Sequence, residues 1–590
     1  MVVDTDKNKR RAGQISRRSA LGTLLAGGAA SCTSTPDLTA FKAVRASTAS
    51  VFTSGVASGD PTQSGFIIWS RIGDAQTGLA LDGEQPVDWQ VANDAGFSTI
   101  VQSGQLSARA SSDGTLKVDV GGLQPGTSYF YRFTLGDTSS PTGHARTLPS
   151  GSVDSARFAV ISCSNFPFGY FNVYDQISRR DDLDAVIHLG DYLYEYGTGG
   201  YGGEVGKQLG RNHAPTTEII TLADYRERHR QYKSDPATQS MHAAHAFIAI
   251  WDDHETANNS WKEGAQNHQP ETEGEWADRR AAALRAYYEW MPVREPSADR
   301  PREAFFRKFS YGDLLTLGAI ETRLMARSEE LSYNDLVASV KSPEDIDRFR
   351  REVLNDPSRQ MLGKTQEAWL SDILQESKQA GQPWRIIANQ IIMARVTAPD
   401  LTPHVTEEEL AELQAQWDQA RAFVQASTLG LPTNFDAWDG YPAARQRFYD
   451  LAEDASENDG LIVLTGDTHT WWANDLTCDD GDNIGVELGV GSVTSPSPYR
   501  KEFLGGKGAE YALLTNQKNK DVRYINGEDH GYIDLHVTPS KVDARFMAVD
   551  TVLSPEYNAF QKAKFTIGKR KSIAQFKGIS GVGLKERFLF

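Results

Sequence analysis

Three stretches decide how this chain reads: AVIHLGDYLYEY (Ala185 to Tyr196), AFIAIWDDHE (Ala246 to Glu255) and GLIVLTGDTH (Gly460 to His469). Each opens as a short apolar run and ends in side chains that bind metals. Such runs read as buried parallel strands, and residues just past their C-terminal ends line the crevice where α/β sheets bind ligands. Asp191 emerges at one rim, behind a glycine that lets the backbone turn sharply. Tyr194, three residues on, is within reach as a phenolate. Asp252, Asp253 and His254 leave the second strand; two adjacent carboxylates are costly unless a cation neutralises them. Asp467 and His469 leave the third. Carboxylates, imidazole and a phenol on one rim suit divalent or trivalent metals, able to clamp a phosphate and activate a water. Each motif also has a plainer reading. Asp191 could be a helix N-cap with Tyr194 packed behind it, and the other two could be solvated polar turns.

The same logic extends to neighbouring strands. RFAVISCSN (Arg157 to Asn165) places Cys163 at the end of the first strand of the series, where a thiolate would be a strong ligand for iron. Its alternative is a disulfide with Cys478. RIIANQ (Arg385 to Gln390) ends in Asn389 and Gln390, either able to offer an amide oxygen. Glu255 is placed to orient His254. His530, in GEDHGY (Gly527 to Tyr532), could touch substrate or metal, or be structural. Trp471 and Trp472 wall the site or simply pack.

At 590 residues, the chain exceeds one typical core, so two or more domains are expected. With 39% hydrophobic and 24% charged residues it reads as globular, and a net charge of −17 argues against a stable nucleic-acid partner. From GVASGDP (Gly55 to Pro61) through GFIIWSRI, VDWQVA and TLKVDVGGL to SYFYRFTLG (Ser128 to Gly136), period-two alternation predicts an N-terminal β-sandwich over 48–149. Ser139 to Val153 reads as a linker. Strands then alternate with helices over 155–575, predicting an α/β domain. Its expected strands include Phe158–Ser162, Leu314–Ile320, Arg385–Ala388 and Leu461–Thr465; its expected helices are Trp276–Trp290, Gln366–Gln379 and Glu407–Ala426. Asn483–Leu488 and Tyr532–Val537 are expected to be more antiparallel strands, and Gly197 to Gly206 a loop.

Residues 1–32 read as a twin-arginine targeting segment. Lys7, Lys9, Arg10 and Arg11 precede Ser16-Arg17-Arg18-Ser19-Ala20-Leu21, and the apolar stretch Ala20 to Ala30 is too short for a membrane span, which needs ~20 residues. Export to the periplasm or the medium follows, with the twin-arginine machinery as a partner. Cys32 weakly resembles a lipidation site.

At these residues the sequence resembles the PhoD-like alkaline phosphatases, within the calcineurin-like metallophosphoesterases. The resemblance extends through GVASGDP, RERHRQYKSDP (Arg226 to Pro236), AYYEWMPVR (Ala286 to Arg294), DAWDGYPAARQR (Asp436 to Arg447), SVTSPS (Ser492 to Ser497) and DHGY. It implies a β-sandwich followed by a metallophosphoesterase αββα sandwich that carries Fe3+ and Ca2+ and cleaves phosphate mono- and diesters. Cys163, Asp191, Tyr194 and His469 would hold the iron. Asp191, Asp253, Asn389 and Asp467 would hold calcium, with Asp191 bridging. The resemblance thus favours a Cys163 thiolate over the disulfide. An oxygen held on the metals would attack phosphorus in line, with His254 near the leaving oxygen and Asp191 catalytic. Arg226, Arg228 and His530 are expected to bind substrate, as is Arg285 by its charge. The alternative is a phospholipase D-like diesterase acting on phospholipids. One departure is Glu321, where the family usually has Asp before Thr-Arg.

Overall fold

A computed structural model of the protein describes residues 50–415, 417–454, 460–499 and 519–580. The expected targeting segment, including Arg17, Arg18 and Cys32, lies outside the described residues. No described helix is long and apolar enough to cross a membrane.

Two large sheets face each other. In the first, of ten strands, Ala156–Ile161, Ala185–His188, Ala246–Ala249 and Val56–Thr62 run parallel in that spatial order. Antiparallel strands from His530–Val537 to Ile573–Ser580 extend one side of it. In the second, of seven strands, Leu315–Ala319, Trp384–Ala388, Leu461–Thr465 and Asn483–Gly489 run parallel. Alternate residues of each strand serve different cores. Phe158 and Val160 join Ile386, Ile462 and Leu464 between the sheets. Ala159 and Ile161 instead face the outer helices Asn172–Ser178, Leu222–Ser234, Pro236–Ala244 and Trp276–Trp290. Ile387, Leu461 and Val463 pack under Gly363–Gln379 and Pro442–Asp454 on the opposite side. Strands buried on both faces must be apolar throughout, which is why the motifs open on unbroken apolar runs. The result is the expected αββα sandwich.

The N-terminal strands form a second sandwich. Glu84–Ala92, Ile100–Arg109, Ser128–Leu135 and Gly143–Arg146 make one layer. Tyr129, Tyr131 and Phe133 from it meet Val56, Phe66, Ile68 and Leu116 from the other. That other layer is not separate. Val56–Thr62 pairs in parallel with Ala246–Ala249, so Val56–Thr62, Gly65–Arg71 and Thr115–Val120 continue the ten-stranded sheet.

Four local expectations are corrected. Ser139 to Val153 is not a bare linker, because Gly143–Arg146 pairs with Ser128–Leu135. Glu407–Ala426 is two helices, Glu407–Gln414 and Ala420–Ala426. The Gln414 amide bridges the break, donating to the Asp418 carbonyl and accepting from the Arg421 amide at 3.0 Å, so a side chain replaces helical backbone bonds. The glycine-rich segment ends in a helix, Gly203–Leu209. Asn483–Gly489 is mixed: it runs parallel to Leu461–Thr465 and antiparallel to Trp471–Thr477.

Candidate metal centre

The carboxyl ends of both parallel strand sets point to one rim, and there the chain leaves the sheets through strained turns. Ten non-glycine residues among those described have left-handed backbone, and four of them are Cys163 (φ 60°), Asp191 (φ 56°), Asp467 (φ 60°) and His469 (φ 53°). Side chains other than glycine rarely adopt this conformation, and such strain concentrates where geometry is functional. Gly190 makes one turn possible: at φ +102° it lies so close to Asp252 that an added Cβ would sit 2.5 Å from that residue's Cβ. Any side chain there would separate two of the acidic residues.

Three interlocking groups of ligand atoms result: Cys163, Asp191 and His469; Asp191, Asp253 and His254; Asp252, Asp253 and Asp467. Within each group the atoms lie within 4.8 Å of one another. Asp191 belongs to two groups and Asp253 to two, so the groups form a chain. The Tyr194 hydroxyl joins the first, 3.0 Å from Asp191 Oδ2 and 3.1 Å from His469 Nε2. His469 Nδ1 is held by the Pro496 carbonyl at 3.0 Å, which turns Nε2 inward.

These residues fit metal ions. Buried carboxylate oxygens normally accept hydrogen bonds, yet Asp191 Oδ1, Asp252 Oδ2 and Asp253 Oδ1 have no hydrogen-bond partner among the described residues. Cys163, Tyr194, His469 and Asp191 offer a sulfur, nitrogen and oxygen donor set suited to a transition metal. The group Asp252, Asp253 and Asp467 is all oxygen, suited to a hard cation. The electrostatics agree. Burial pushes the Asp191 and Asp252 carboxyls and the Cys163 thiol well up from their ordinary values. Burial, with Asp436 nearby, lifts Asp467 to about 7. A bound cation would reverse these shifts by favouring the charged forms.

His254 is held differently. Burial opposes its protonation, but Asp253, Glu195 and Asp191 overcome that and raise it well above an ordinary histidine. Its Nδ1 sits 2.7 Å from Glu195 Oε2. Glu195 is fully buried and also accepts from the Asn258 amide N–H (2.7 Å) and the Asn267 side chain (2.8 Å). The Tyr194 ring lies 4.2 Å from the imidazole, centre to centre. Glu255, expected to orient His254, instead accepts backbone N–H groups from Asp191 (3.1 Å), Tyr192 (2.7 Å) and Asp252 (2.9 Å). It ties the strained turn at Asp191 to the turn that begins at Asp252.

Arg323 was not anticipated as a site residue. Fully buried, it spans the acidic rim: Nε to Asp252 Oδ1 at 2.5 Å, Nη1 to both Asp436 oxygens at 2.8 Å, and Nη2 to Asp467 Oδ1 at 3.2 Å. Arg327 braces Asp436 from behind. Glu321, the departure from the family pattern, accepts the backbone N–H groups of Arg323 (2.8 Å), Leu324 (2.6 Å) and Met325 (3.0 Å) and the Trp251 indole (3.0 Å). It fixes the loop that delivers Arg323.

The other expected residues fall as follows. Gln390 spends its amide on Thr322, Trp251 and Ile320. Among the described residues Asn389 Oδ1 accepts from the Trp438 indole alone, at 3.2 Å, which leaves a lone pair for a ligand. Arg226 and Arg228 are not brought to the rim. Arg226 forms a two-point pair with Glu289 at 2.7 Å, and the buried Arg228 donates to the carbonyls of Tyr194, Tyr196, Ala214 and Pro215. Arg228 thereby supports the loop bearing Tyr194. Arg285 is occupied by Glu289 and the Ser111 carbonyl. His530 Nδ1 meets Ser492 Oγ at 2.9 Å, outside the three groups. Trp471 stacks on Phe546 and is packing. Cys163 and Cys478 are both free, so the disulfide reading falls; the Cys478 thiol lies 2.8 Å from Asp480 Oδ1.

Two face-to-face sheets with thiol, imidazole and carboxylates gathered on one paired rim define the scaffold of a metallohydrolase. Comparison with known proteins narrows the class. The PhoD-like phosphatase family profile matches residues 158–546, and the profile for its N-terminal domain matches residues 38–149. Alkaline phosphatase D of Bacillus subtilis (strain 168) is 34% identical over 534 residues, spanning 88% of this chain and 81% of that protein. A solved structure of PhoD superposes with a TM-score of 0.73 at 30% identity, covering 91% of this chain and 96% of its own. The chain belongs to the PhoD-like phosphatase family and is a phosphoric ester hydrolase.

Proposed function

We propose that the protein is an exported, metal-dependent alkaline phosphatase and phosphodiesterase that hydrolyses small phosphate mono- and diesters. The observation that carries this reading is the run of three ligand groups joined through Asp191 and Asp253, with buried carboxylate oxygens that accept no hydrogen bond from the described residues. Iron held by Cys163, Asp191, Tyr194 and His469, and calcium held by Asp191, Asp253, Asn389 and Asp467, is the assignment the family resemblance implies, and the donor types are compatible with it. Such ions would neutralise phosphate oxygens and make a water acidic enough to attack near neutral pH.

The chain's own residues do the rest. Asp191 and Asp253 fix the spacing of the ligand groups. Glu195 holds His254 Nδ1, so the imidazole presents Nε2 to the site with its proton retained. That proton is delivered to the departing alkoxide, which a poor leaving group requires. Arg323 offsets the charge of Asp252, Asp436 and Asp467 and keeps them in register.

The test is to purify the protein from metal-replete cells and measure metal content with hydrolysis of matched mono- and diesters, including a phospholipid. Iron and calcium with chelator-sensitive turnover are expected. Metal-free, folded and inactive protein would overturn the reading. Turnover of the phospholipid above the simple esters would replace it with the phospholipase D alternative.

A further inference from the structure

A cavity of about 210 Å³ opens beside the rim and reaches Asp467. The segment that follows His254 builds one wall. The Asn258 backbone N–H braces Glu195, the partner of His254. Asn259, itself left-handed at φ 49°, donates its backbone N–H to Asp253 Oδ2 at 2.6 Å and its side-chain amide to Glu330 Oε1 at 2.8 Å. The cavity meets the ligand groups at Asp467, so an alcohol that leaves toward that side runs against this wall. Trp417 and Tyr333 supply aromatic surface, and side-chain amides supply most of the remaining lining.

The charges of the lining are unequal in effect. Glu330, Asp436 and Asp467 all face the cavity, and no basic side chain among the described residues does. Asp436 is neutralised from behind by Arg323 and Arg327. Asp467 belongs to the ligand groups. Glu330 alone has no ion pair among the described residues, its one hydrogen bond coming from the neutral amide of Asn259. A negative charge carried on the departing alcohol would meet this carboxylate across a cavity only a few side chains wide, where charges are poorly screened.

From this geometry we propose that Glu330 determines leaving-group specificity, excluding phosphate esters whose alcohol carries its own negative charge. The inference rests on the phosphatase reading above. It concerns which ester is accepted, not the reaction: water still adds hydroxide to phosphorus and the proton goes to the alcohol.

The test uses two esters that differ only at one group, glycerol 2-phosphate and 2-phosphoglycerate, whose leaving alcohols are neutral and anionic. The metal-loaded enzyme is assayed at pH 9. Burial and Asp436 push the Glu330 carboxyl up to about 7, so it is ionised there. The wild type is expected to favour glycerol 2-phosphate in kcat/KM, and Glu330→Gln to shrink that ratio about tenfold, the scale of one like-charge contact in such a cavity. Glu330→Asp, which keeps the charge, is expected to keep most of the discrimination. Equal turnover of both esters by the wild type, or a ratio that Gln and Asp alter alike, overturns the inference. No turnover of either ester by metal-loaded wild type would instead defeat the phosphatase reading, so the two failures are distinguishable.

Discussion

Replacing Glu195 by Gln tests the proton-donor role with the least disturbance of the metal ligands. Glu195 lies outside the three ligand groups but is 2.7 Å from His254 Nδ1, with both side chains buried. The amide is isosteric and still reaches Asn258 and Asn267, but it removes the charge that helps hold the imidazolium. A hydrogen bond to a charged group contributes about 1.5–3 kcal/mol, and each ~1.4 kcal/mol is tenfold, so a ten- to hundredfold fall in kcat/KM is expected. The loss should depend on the ester. Glycerol 2-phosphate expels an alkoxide that needs the proton, whereas p-nitrophenyl phosphate expels a phenolate stable without one. The assay compares both esters across pH at equal metal content. With Glu195 gone, His254 loses its proton at lower pH, so the alkaline limb for the alkyl ester should move down. Equal losses on the two esters, or no loss on either, would refute the assignment of His254 as proton donor.

Further outcomes follow from the same geometry. Asp191→Asn removes a ligand shared by two groups; turnover should fall at least 10³-fold and bound metal should drop, with the circular dichroism spectrum retained. Stripping the metals should make stability fall as pH rises. Asp191, Asp252 and Asp467 have folded-state pKa values above the ordinary 3.8, so the folded state binds more protons, and the advantage present below 3.8 is lost as pH climbs past about 7. Urea unfolding at several pH values, with and without added metal, measures this, and added metal should flatten the slope. Arg323→Met leaves Asp252 and Asp436 buried with less compensation and should destabilise the metal-free protein by about 3–5 kcal/mol, part of which excess calcium restores.

Much of the site was legible in the chain because its signals are local. An apolar run buried on both faces must be continuous, so Ala185–His188, Ala246–Ala249 and Leu461–Thr465 announced themselves, and whatever followed them had to lie at the rim. That reasoning located Cys163, Asp191, Asp253, His254, Asp467 and His469 without knowledge of how the sheets are arranged. It could not rank basic residues. Arg226 and Arg228 sit in a motif-rich helix, but the helix turns one toward Glu289 and the other onto backbone carbonyls. Arg323, three residues past Ile320, followed a recognised strand end; only the buried carboxylates around it explain its place.

Strand ends, the candidate ligand side chains past them and their order could be read along the chain, because strand period and side-chain chemistry act over a few residues. Tertiary structure alone decided the pairings. It made Glu195 rather than Glu255 the partner of His254, joined the ligand groups through Asp191 and Asp253, and continued the N-terminal sandwich into the catalytic sheet through Val56–Thr62. Hydrogen bonds and ion pairs act over about 3 Å, and residues far apart in sequence come within that reach only after both sheets have closed on their shared core.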